Sequence, residues 1–143
     1  MNSKNVLIIE DDKIQADELK RRLEQAGFKV RHISTELQFQ KFVKEPGVAT
    51  YDIAVVDMML RWTDPSPEME MPSDEILAEG FYVAGLRCSR TLKQHGVRAL
   101  IFTALDPARV PLAKGEDFPV INKSRGYDAL IEILQSQTKP RSS

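Results

Sequence analysis

With a single cysteine among 143 residues the chain can form no internal disulfide, and nothing in it points to an oxidising compartment. Excess charge is also missing. Against 20 Lys and Arg stand 21 Asp and Glu, a balance that argues against direct nucleic-acid binding, where affinity comes from clustered cations. The longest apolar runs cover residues 6–9, 53–56 and 99–102. They fall far short of the roughly 20 residues that span a bilayer, so no membrane insertion is expected. The N-terminal Met-Asn-Ser-Lys-Asn leads straight into a strand-like stretch and leaves no room for a signal peptide. Neither Gly-x-Gly-x-x-Gly nor the P-loop pattern occurs, which removes the common nucleotide-binding fingerprints. The two histidines, His32 and His95, have no metal-ligand spacing and read as surface residues. A chain of this length buries roughly 70 % of its unfolded surface in one core, and the expectation is a cytoplasmic, single-domain protein.

What is present alternates. Short runs rich in Val and Ile read as strands buried on both faces, the signature of a parallel sheet. After residues 6–9, Ala16, Leu19, Leu23 and Ala26 form one helical stripe, Ile14 lies off it, and Gly27 stands where a stop is expected. Residues 28–33 alternate apolar with basic, as an exposed strand near a sheet edge does. Ser34 or Thr35 can cap a second helix carrying Leu37, Phe39, Phe42 and Val43 inward. Residues 51–56 make a third strand. A helical stripe returns from Gly80 with Phe81, Ala84, Cys88 and Leu92, followed by a fourth strand at 97–102. Pro107 and Pro111 limit residues 105–114 to a short or broken helix. Residues 118–122 can form a fifth strand, at an edge because of Pro119, and Tyr127, Leu130, Ile131 and Leu134 space a closing helix. The resulting architecture is α/β, five β-α units in one domain over residues 4–137, with a disordered tail at 138–143.

One segment breaks the alternation. Residues 61–79 contain three prolines, six acidic residues and one basic residue, Arg61, for a net charge of −5. Loops this long inside compact domains are uncommon and usually functional or disordered, although residues 73–79 could begin the next helix. Trp62, Met69 and Met71 within it read as cover for apolar surface or for a partner.

Polar residues gather at the strand ends, where open parallel sheets bind ligands. Glu10-Asp11-Asp12 follows the first strand, Asp57 the third, Thr103-Ala104 the fourth and Asn122-Lys123 the fifth. Converging carboxylates repel one another unless a cation sits among them, and hard oxygen donors favour Mg²⁺ (or Mn²⁺), often completed by a phosphate. Lys123 as a point charge and Thr103 as a hydroxyl donor suit a phosphoryl group, with Asp57 the natural nucleophile. Taken alone, the acidic triplet could equally be an acidic turn at the start of the first helix.

The ordered set Val-Leu-Ile-Ile-Glu10-Asp11-Asp12, Ile-Ala-Val-Val-Asp57-Met58-Met59-Leu60, Leu-Ile-Phe-Thr103-Ala104 and Val-Ile-Asn-Lys123 resembles the receiver domain of two-component response regulators. The resemblance implies a flavodoxin-like, doubly wound five-stranded parallel sheet. It also implies a Mg²⁺ site at Glu10, Asp11, Asp57 and the backbone carbonyl of Met59. Asp57 would be the phosphoacceptor, served by a sensor histidine kinase or phosphotransfer protein. Thr103, the backbone amide of Ala104, and Lys123 would bind the phosphoryl group, and Phe118 is the candidate switch aromatic. Three departures stand out. Asp57 to the Gly80 of the next helix is 23 residues where the family has about six, Lys123 is followed by Ser124 rather than Pro, and Val120 holds the usual aromatic position.

The implied role is a switch, not an enzyme, acting through contacts with an unidentified downstream protein. The competing reading is a phosphorylation-independent pseudo-receiver that serves as an interaction module, with residues 61–79 as a binding element or lid. A haloacid-dehalogenase-like phosphatase would need a second Asp where Met59 stands.

Overall fold

The computed structural model describes residues 4–64 and 70–137; the expected disordered tail, Met69 and part of the acidic segment lie outside them. Five parallel strands, β1 (Asn5–Ile9), β2 (Lys29–Ile33), β3 (Ile53–Val56), β4 (Arg98–Thr103) and β5 (Val120–Asn122), form one sheet in the order β2-β1-β3-β4-β5. This is the flavodoxin-like order, whose reversal point lies between β1 and β3. Both strands expected at edges, the basic β2 and the proline-preceded β5, are at the edges.

The helices are α1 (Lys13–Gln25), α2 (Glu36–Phe42), α3 (Asp74–Glu79), α4 (Ala84–Gln94) and α5 (Gly126–Gln137). Side chains alternate across each strand, so the sheet has two cores. Val6, Ile8, Ile53, Val55, Leu100 and Phe102 pack against α1 and α5. Leu7, Ile9, Ala54, Val56, Ala99 and Ile101 pack against α2 and α4. Every residue of β3 is buried, which is why its sequence shows no polar alternation. Among the described residues no helix is long and apolar enough to cross a membrane.

Local chemistry sets the boundaries. Asp12 caps α1 by accepting from the Gln15 N–H, and Thr35 rather than Ser34 caps α2; each such cap contributes about 1 kcal/mol. Residues 73–79 are not the start of the following helix. Ser73 caps α3, and Gly80 ends it with φ +91°, a conformation that side chains other than glycine's resist. Phe81 consequently leaves the expected buried stripe, sits in a single 3₁₀ turn (Phe81–Val83) and is 42 % exposed. Between β4 and β5 the prolines leave only the 3₁₀ turn Pro107–Arg109. Leu37 is half-buried, and Glu36 takes a fully buried place on α2 instead.

Candidate metal and phosphoacceptor site

The register of the central strands builds the site. Ile9 pairs with Val56, so the next residues, Glu10 and Asp57, emerge side by side where the strand order reverses, and Asp57 N–H donates to the Ile9 carbonyl at 2.9 Å. Glu10, Asp11 and Asp57 each offer a carboxylate oxygen, all within 4.8 Å of one another. From beyond β5, Lys123 Nζ reaches across and donates to Glu10 Oε1 at 2.6 Å, Gln15 Oε1 at 2.7 Å and Asp57 Oδ2 at 3.2 Å.

The electrostatics follow from crowding. Burial pushes the Glu10 carboxyl up to about 7, reinforced by its hydrogen bond to Asp57 and the charge there, with Lys123 pulling the other way. For Lys123, burial disfavours the ammonium, but the Glu10 hydrogen bond and the charges of Asp57 and Glu10 outweigh it and raise its pKa. Three carboxyl groups crowd around one ammonium, and the donors are hard oxygens, so the residues fit a small divalent cation. Binding it would displace the proton that burial holds on Glu10.

Not every expected residue joins this cluster. Thr103 is buried at the end of β4, level with Asn122 of β5, and its hydroxyl accepts from the Leu105 N–H at 3.2 Å. Ala104 is exposed beyond it. Met59 lies two residues past Asp57 with its side chain 64 % exposed. Phe118 is not drawn to the site. It precedes β5, next to the Pro119 whose carbonyl meets Ile101, and is buried in the α4-side core beneath the Lys93 ammonium. A cleft of about 440 Å³ beside it lies at the amino-terminal edge of β4 and holds none of the clustered carboxylates.

Several positioning residues were not anticipated. Gln15 bridges Asp12 Oδ2 and Lys123; the Asp-x-x-Gln spacing of a capping box was the available signal. Asn122 accepts from the Ser124 N–H at 2.8 Å and donates to the Leu105 carbonyl at 3.2 Å. It thereby shapes the turn after Lys123. His32 is half-buried rather than on the surface, its Nε2 2.6 Å from the Glu10 carbonyl oxygen. Arg61 donates its main-chain N–H to Asp11 Oδ2 at 3.1 Å. The glycine that the site requires is Gly85, not Gly80: its N–H donates to the Met58 carbonyl at 2.9 Å, and a Cβ there would stand 2.0 Å from the Asp57 carbonyl oxygen. No pattern of apolar periodicity marks such a contact.

Solved structures share this architecture. A response regulator receiver protein from Sinorhizobium medicae aligns with a TM-score of 0.69 at 17 % identity, covering 95 % of this chain and 94 % of that one. The PhyR receiver domain of Erythrobacter litoralis gives 0.67 at 19 %, covering 100 % and 98 %. The response regulator TrrA of Thermotoga maritima, solved with Mg²⁺–BeF, gives 0.64 at 20 %, covering 94 % and 98 %. The fold is that of the response regulator receiver domains. No protein-family model matches the chain, and no curated protein sequence does.

Proposed function

We propose that this chain acts as a receiver: Asp57 accepts a phosphoryl group from a phosphohistidine of a sensor kinase or phosphotransfer protein, and the changed surface is read by a protein partner. The observation that carries this reading is the single ammonium of Lys123 spanning Glu10 and Asp57 beside Asp11, at the reversal point of a receiver-type sheet. In the transfer the P–N bond to the donor imidazole breaks as an Asp57 carboxylate oxygen forms the new P–O bond. A divalent ion bound by Glu10, Asp11, Asp57 and the Met59 carbonyl would neutralise charge on the transferring group. Lys123 supplies the second positive charge, already placed and partly desolvated, where it is worth more than in water. Thr103 and the Ala104 amide are the donors that would engage the product, the Thr103 O–H donating while its oxygen accepts from the Leu105 N–H. The protein is then a covalently set switch rather than a turnover catalyst, with Phe118, buried in the core beside α4, as the candidate switch aromatic.

The test is intact mass after incubation with acetyl phosphate and MgCl₂. One added phosphate in the wild type, lost in Asp57→Ala, supports the reading. No gain in either chain overturns it in favour of the phosphorylation-independent module.

A further inference from the structure

Arg61 is the only basic residue from position 45 to position 86, and it stands against the one clustered carboxylate that Lys123 does not touch. Its main-chain N–H and its guanidinium Nε approach the same oxygen, Asp11 Oδ2, at 3.1 and 3.7 Å. The same guanidinium also meets Asp64 Oδ1, through Nη1 at 3.4 Å. The carbonyls of Arg61 and Trp62 receive the first N–H groups of α2, from Glu36 at 3.0 Å and Leu37 at 2.8 Å, and the Trp62 indole N–H donates to the Glu70 carbonyl at 2.8 Å. The backbone is therefore fixed and orients Asp11, while the charge rides on a half-exposed side chain free to leave.

We propose that Arg61 is a tethered counter-cation that competes with the divalent ion for Asp11, so that the segment after β3 sets the ion affinity of the site. This rests on the reading of Glu10, Asp11 and Asp57 as the ion's ligands. Partners outside the ligand set commonly tune metal affinity; here orientation and competing charge come from one residue, through its main chain and its side chain. Substitution separates the two, because any residue but proline at 61 keeps the N–H.

The experiment is calorimetric titration with MgCl₂ of the full chain, its Arg61→Met variant and its Arg61→Lys variant. Emission of Trp62, the only tryptophan, serves as a parallel readout. Removing one positive charge beside the ion tightens binding roughly three- to tenfold in Arg61→Met at low salt, with the gap closing at high salt, whereas Arg61→Lys stays within about twofold of wild type. Equal or weaker binding by Arg61→Met overturns the proposal and leaves the ion site standing. Absence of Mg²⁺ binding in all three chains removes the ion site itself, and the proposal with it.

Discussion

Substituting Gly85→Ala tests how tightly α4 is pressed against the site. Gly85 is not among the positive-φ glycines, so its requirement is for space alone. An added Cβ would lie 2.0 Å from the Asp57 carbonyl oxygen and 2.7 Å from both Asp57 C and Met58 Cα. Ordinary carbon–oxygen contacts lie near 3.3 Å or beyond, so the helix start and the β3 exit must separate by roughly 1 Å. All three contacting atoms are backbone, with no flexible side chain to yield. Overpacking of this kind costs about 1–3 kcal/mol, and the strained Gly85–Met58 hydrogen bond adds about 1 kcal/mol. At roughly 2–4 °C per kcal/mol for a chain of this size, the melting temperature falls by about 4–16 °C. Gly96→Ala is the control. It has φ +78° and open space around its Cβ, so it carries only backbone strain of about 1–2 kcal/mol. Calorimetric melting of both variants decides the matter: a Gly85→Ala chain that melts no lower than Gly96→Ala would refute the close approach of α4 to Asp57.

Two further outcomes are expected. Glu10 titrates near 7 in the folded chain against an ordinary 4.5. The folded state therefore holds a proton that the unfolded state has lost, and stability present below pH 4.5 drains away as pH rises towards 7. The difference is on the order of 3 kcal/mol. Urea midpoints in EDTA, wild type minus Glu10→Gln, should fall across that window and recover with Mg²⁺; a flat difference would remove the buried-carboxyl account. On the other side of the sheet, Arg87 grips buried Glu36 with two 2.8 Å bonds and the Gly80 carbonyl with a third at 2.9 Å. Arg87→Met strands that carboxylate at a cost of about 3–5 kcal/mol, and adding Glu36→Gln should restore part of it in a double-mutant cycle by urea denaturation.

What the sequence by itself determined is whatever repeats with a period or stands at a strand end. Four-residue runs such as Ile-Ala-Val-Val imply strands buried on both faces, and alternation in Lys29–Ile33 implies an edge. Acidic and basic residues placed just after such runs had to meet, because parallel strands bring their carboxyl ends to one side of a sheet. Glu10, Asp57 and Lys123 were legible for that reason. Only the tertiary structure decided the contacts made across the fold. Gly85 is one more small residue until α4 is laid on the Asp57 backbone. Arg61 is one cation in an acidic stretch until its N–H finds Asp11, 50 residues away. Glu36 looks like an exposed helix-start acid until Arg87 covers it. Phe118 shows the reverse limit: its type and nearness in sequence to Lys123 suggested a switch aromatic, and the structure buries it in the core beside α4. A strand rises about 3.3 Å per residue, so a residue well before the strand's end lies far from the ligands gathered there. Proximity along a strand is distance in space, whereas proximity between elements depends on register and packing, which no single stretch of sequence contains.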